Sequence, residues 1–182
     1  VLPRISIEQS IQQALATAHQ DAVDAAKRAH DTATGSESVA ENKYDTFGLE
    51  ASYLAHGQSV RVAQCKDDMH AYEQLFAVLK HKAATSALLD VSLNVSNTTA
   101  KEVAKQIALG DLVELIDEND KFSRLFMGPS AGGLKVQTAA GSFMLITPLS
   151  PIGQKLLTRE VNDEIALTVA DKIHCYEISA II

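Results

Sequence analysis

The stretch FGLEASYLAHGQSVRVAQCKDDMHAYEQLFAVLK, residues 47–80, decides how the first half of the chain folds. Its seam positions are Phe47, Ala51, Leu54, Gln58, Val62, Cys65, Met69, Tyr72, Phe76 and Leu79, always three or four residues apart. That spacing lies close to a heptad seam and predicts a long amphipathic helix with one buried stripe. Gly48 and Gly57 are unfavourable inside a helix by about 1 kcal/mol each. Close packing is the expected reason for Gly57, and Gly48 marks where a turn gives way to regular helix.

Upstream, Ile7 to about Ala33 contains neither Pro nor Gly. Apolar residues recur there at helical spacing: Ile7, Ile11, Ala14/Leu15, Ala18, Ala22, Ala25/Ala26 and Ala29. This is a second amphipathic stripe, made mostly of Ala, which lets a partner helix approach closely. Gly35 and Ser36 end it, with Gly at the usual C-terminal position. Two such helices joined by a short turn pack as an antiparallel hairpin. Residues 7–35 would make an arm of about 40 Å at a rise of about 1.5 Å per residue.

Downstream the periodicity changes. Ser86–Thr99 is rich in Asn, Ser and Thr and reads as a linker, and Thr99–Leu109 is expected to add a turn or two of helix. After Gly110 come short alternating runs: Leu112–Ile116, Phe122–Met127, Leu134–Thr138, Phe143–Thr147, Ile165–Val169 and Ile173–Ile182. Turn residues separate them, at Asp117-Glu118-Asn119-Asp120, Gly132-Gly133 and Ala140-Gly141. Between the fourth and fifth runs, Ser150-Pro151-Ile152-Gly153-Gln154-Lys155 offers a Ser cap with Pro at the first helical position, hence a short helix. The expected class is α+β: an antiparallel coiled-coil hairpin over 1–82, a linker over 83–108, and an antiparallel β domain with one short helix over 109–182. The hairpin turn falls near 36–46.

Composition narrows the function. A net charge of −7 argues against binding free duplex DNA, which needs Lys and Arg to displace counterions from phosphate. Cys65 and Cys175 form no CxxC pair and read as two reduced thiols. The six His residues make no ligand-spaced cluster, so no metal bound stably by the chain itself is expected. No apolar run approaches the roughly 20 residues of a membrane span, and no signal-peptide core is present. The expectation is a cytoplasmic protein with no membrane partner.

Two stretches carry a family signature. One is Glu41-Asn42-Lys43-Tyr44-Asp45-Thr46 through Gly48-Leu49-Glu50-Ala51-Ser52-Tyr53-Leu54. It resembles the coiled-coil tip of bacterial Gre factors, of the GreA/GreB-like kind. The other is Ile107-Ala108-Leu109-Gly110-Asp111-Leu112-Val113-Glu114-Leu115, followed by Ile146-Thr147-Pro148-Leu149-Ser150-Pro151-Ile152-Gly153-Gln154-Lys155-Leu156-Leu157 and Val161-Asn162-Asp163-Glu164-Ile165. It is similar to the C-terminal, FKBP-like domain of the same family. The resemblance implies a transcription elongation factor that docks on RNA polymerase through that domain and inserts its hairpin into the secondary channel. Tip carboxylates would then help hold Mg²⁺ and a water in the polymerase's own active site, where backtracked RNA is cleaved. Such a factor has no cofactor of its own, meets the nascent RNA 3′ end only inside the polymerase, and is not itself a complete nuclease. The chemistry is coherent, because a hard divalent cation takes oxygen ligands and two-metal cleavage needs one ion to activate the water.

Glu41 aligns with the family's tip glutamate. Ser38-Val39-Ala40-Glu41 is equally a capping box, worth about 1 kcal/mol to the second helix. Cleaving Gre factors carry Asp three residues before that Glu, where this chain has Ser38. Glu37 is one residue off and Asp45 one helical turn on, and either could substitute. The alternative is therefore a regulator that occupies the channel without stimulating cleavage. Ser150, Pro151 and Ile152 match the family's polymerase-contacting segment, and Leu149 stands where members tend to place a polar residue. An FKBP-like domain also raises peptidyl-prolyl isomerase activity, against which stands the sparse aromatic content of residues 110–182: Phe122, Phe126, Phe143 and Tyr176.

Overall fold

The computed structural model describes residues 4–35, 46–92, 105–169 and 172–182. Among them the elements run α1 (Arg4–Thr34), α2 (Phe47–Ser92), β1 (Leu112–Asp117), β2 (Phe122–Met127) and β3 (Lys135–Thr138), then β4 (Gly141–Ile146), α3 (Pro151–Leu156), β5 (Glu164–Val169) and β6 (Lys172–Ile181). The class is α+β, a helical hairpin followed by a mixed sheet carrying one short helix. No described helix is long and apolar enough to cross a membrane. Contacts gather the chain into two compact units, one of residues Ile11–His70 and one of Val1–Ser10 with Ala71–Ile182.

Within the Ile11–His70 unit the two helices meet along small side chains. Ile11, Leu15, Ala22 and Ala29 are buried on α1, and Ala51 and Cys65 on α2. The Cys65 thiol points at the Ala18 carbonyl at 3.9 Å, a measure of how near an Ala seam lets the neighbouring side chain come. Two expected seam residues are not in the seam: Phe47 is 48% exposed and Leu54 is 57% exposed. Ala51 is buried and Ala55 and Gln58 are half-buried, so the stripe passes one residue to the side of Leu54. Close packing does not explain Gly57, since nothing lies within 4 Å of where its Cβ would stand.

The second unit is built on a six-stranded sheet of order β3-β4-β2-β1-β6-β5. On one face α3 closes a core of Val113, Leu115, Met127, Leu156 and Ile178. The opposite face meets the later part of α2. Tyr72 stacks with Phe126 at 6.3 Å between ring centroids, and Phe126 with Phe143 at 6.2 Å. From α1, Ile7 is buried and Glu8, almost buried, pairs with Lys80 at 2.9 Å. Burying side chains of this size stabilises a fold by about 1.5–3 kcal/mol each, which gives α2 beyond His70 a strong reason to stay with the sheet.

The helix boundary expected at 82 is not where α2 ends. It runs to Ser92, because residues 58–109 contain no Gly or Pro and Ala83, Ala84 and Ala87 favour helix. Residues 93–104, in the middle of the expected linker, lie outside the described residues. Where the description resumes, 105–109 is not helical. Ile107 is instead clipped to the segment after α3, donating to Arg159 O at 2.8 Å and accepting from Thr158 N at 3.0 Å.

The sheet also departs from the expected antiparallel arrangement. β2 and β4 run parallel, with Leu125, Phe126 and Met127 beside Met144, Leu145 and Ile146. The remaining four pairings are antiparallel. The chain leaves β2, crosses to the sheet edge as β3, and hairpins back so that β4 fills the gap between them. Alternation along a strand reports which face each residue takes, not which strand lies beside it.

Candidate docking surface

The segment Thr147–Leu157 builds its own scaffold. Thr147-Pro148-Leu149-Ser150 forms a turn in which Ser150 N donates to Thr147 O at 3.0 Å. The Ser150 hydroxyl donates to the same carbonyl at 2.7 Å and accepts from Gly153 N at 3.1 Å. It is thus the N-cap of α3, satisfying an otherwise open helix donor, with Pro151 at the first helical position. Gln154 closes the turn from the other side, its side-chain amide donating to Leu149 O at 3.1 Å. Gly153 is required by proximity: a Cβ there would run into the Thr147 carbonyl, whose carbon lies 2.9 Å from that position.

This geometry divides the four candidate contact residues. The hydroxyl of Ser150 is engaged within its own helix. Ile152, half-buried, packs against the sheet core. Leu149, at 85% the most exposed large apolar side chain among the described residues, and Pro151 face solvent. Leu157 and Val161, which follow α3, are exposed as well. Both lie in the family-like stretches quoted above, but the contact expected there ended at Ile152.

The hairpin turn is the other candidate. Glu37, Ser38, Glu41 and Asp45 lie outside the described residues, so the tip carboxylates and the capping box have no geometry to report. The first described residue beyond them, Thr46, donates its hydroxyl to the Glu50 carboxylate at 2.9 Å and accepts from Glu50 N at 2.9 Å, at the start of α2. Among the described residues no group of three or more His, Cys, Asp or Glu could hold a metal ion. Two groups elsewhere are perturbed. Backbone N–H bonds from Lys121 and Asn119 hold the Asp117 carboxyl below the usual carboxylate range. A hydrogen bond with Glu118 raises the Cys175 thiol.

No family model matches the sequence. No curated protein matches it either. Among solved structures the chain is similar to GreA factor homolog 1 (Gfh1) of Thermus thermophilus, at 17% identity over 94% of each chain and a TM-score of 0.36. It is similar to Gfh1 of Thermus aquaticus at 20% identity, covering 99% of this chain and 96% of that one, with a TM-score of 0.37. A GreA/GreB elongation factor from Nitrosomonas europaea matches at 19% identity over 63% of this chain and 93% of that one, with a TM-score of 0.33.

Proposed function

We propose that this chain is a Gre-type factor that docks on RNA polymerase through its β unit and sends the hairpin turn into the polymerase's secondary channel. The observation that carries the reading is the exposure of Leu149 and Pro151 on a turn braced by the Ser150 cap and Gly153. The pair falls in the segment that resembles the family's polymerase contact, and apolar side chains presented on a braced turn suit the core of a protein interface. The acidic balance of the chain supports a protein partner over free DNA.

In this reading Glu41, with Glu37 or Asp45, is delivered to the polymerase's active site, where carboxylate oxygens suit its Mg²⁺. The factor supplies a ligand and the polymerase performs the hydrolysis. Ser38, standing where cleaving factors carry Asp, favours a second reading in which the channel is occupied without cleavage. A backtracked elongation complex separates the two. Shortened RNA 3′ ends on adding the protein, lost with Glu41→Ala, support cleavage; stable binding with unchanged RNA supports occupancy. Failure to bind polymerase at all would refute both.

A further inference from the structure

The parallel pairing of β2 with β4 is confined to residues 125–127 and 144–146. Before it the two strands part, and an open cleft of about 560 Å³ lies at their starts, lined by Lys121, Phe122, Arg124, Lys135, Ser142 and Met144 among others. That size lies within the range of pockets that take small ligands. Lys121, Arg124 and Lys135 line it and no acid does; Arg124 is paired with Glu114, so the uncompensated charge is that of the two lysines. In a chain of net charge −7 this is a local reversal of sign.

Of the neighbouring acids, Glu114, Asp117 and Glu118 have partners, and Asp120, in the turn beside Lys121, does not line the cleft. Glu114 is bound to the Arg124 Nε, and Arg124 Nη1 is braced on Ala140 O at 2.8 Å. Asp117 accepts the backbone N–H groups of Asn119 and Lys121 at 2.8 and 2.9 Å. Glu118 reaches to the backbone of Cys175 at 3.2 Å, on β6, which lies on the far side of β1 from the cleft. The ammonium groups of Lys121 and Lys135 make no ion pair among the described residues. Phe122, at 66% exposure, and the partly exposed Met144 add apolar contact at the rim.

We propose that this cleft binds an acidic, extended peptide segment of a protein partner, with Lys121 and Lys135 pairing its carboxylates and Phe122 and Met144 packing on its apolar side chains. A single-stranded nucleic acid would share the charge preference. It would also want several aromatic platforms for successive bases, and Phe122 is the one aromatic side chain at the cleft that is exposed. This site is separate from the Leu149 turn and does not depend on the polymerase reading.

The test is fluorescence anisotropy of the full chain with a labelled peptide of alternating Glu and Leu, beside its Gln-for-Glu counterpart and a labelled oligouridylate. The Glu peptide should bind, weaken as salt rises, and lose about tenfold or more in affinity in the Lys121→Glu/Lys135→Glu variant. Lys172→Glu, which reverses a charge on β6, should leave binding unchanged. Both lysines are exposed, so circular dichroism should show each variant folded. Equal binding by the double variant, equal binding of the Gln peptide, or preferential binding of the oligouridylate would each overturn the proposal.

Discussion

The hydroxyl of Tyr72, on α2, donates to the carbonyl of Ser130 at 3.1 Å and fills the space that a side chain at Gly128 would need. One fully buried aromatic thereby ties the long second helix to the loop after β2. A Cβ at Gly128 would overlap the hydroxyl oxygen and lie 2.7 Å from the ring carbon that bears it. Gly128→Ala should therefore cost about 1–3 kcal/mol or more in urea unfolding. Tyr72→Phe removes one hydrogen bond, about 1 kcal/mol. The double variant should lose less than the sum, because the hydroxyl that clashes is gone. Strict additivity would mean the two residues are not in contact.

In the proposed docking turn before α3, Ser150 is the structural residue and Leu149 the one offered to a partner. Ser150→Ala should lower stability by about 1 kcal/mol through the lost cap and change polymerase affinity little. Leu149→Asp should do the opposite: unchanged unfolding midpoint, with affinity down about tenfold or more. Calorimetric unfolding and binding to core polymerase, run on both variants, read the two effects independently. A loss of binding in Ser150→Ala without a loss of stability would place recognition on the hydroxyl instead.

Asp117 gives the β1–β2 turn a pH dependence of known sign. Its carboxylate accepts from Lys121 N and Asn119 N, which lower its pKa in the folded chain. A carboxyl depressed by folding adds stability above its unfolded pKa and loses that contribution as pH falls through the folded value. The loss therefore falls below about pH 4. Asp117→Ala removes the linkage, so its urea midpoint should fall less steeply than that of the unaltered chain between about pH 4 and pH 2. Parallel curves would contradict the assignment.

Much of this fold was legible in the residues. β2 spans Phe122–Met127 as alternation and turn residues predict, and α3 begins at Pro151 behind its Ser150 cap. Such features are local: a cap, a turn or an alternation is written within a few neighbouring positions. The parallel β2–β4 pairing was not legible, because it depends on where β3 carries the chain. The attachment of Tyr72 and Phe76 to the sheet was hidden for a related reason. Their heptad positions predict burial and do not name the surface that buries them. At the candidate surface, the Ser150-Pro151-Ile152 motif marks the turn and the helix start, and only the geometry separates the inward Ser150 and Ile152 from the outward Leu149 and Pro151.

The proposed function puts the hairpin turn inside the secondary channel of RNA polymerase. A photo-crosslinking residue placed at Ala40, beside Glu41, reads this directly in a complex of the full chain with a stalled, backtracked polymerase. A channel-entering hairpin gives crosslinks to the secondary channel and to the RNA 3′ end, abolished together with binding by Leu149→Asp. Crosslinks confined to the outer surface of the polymerase, or a chain that does not bind it, would rule this function out.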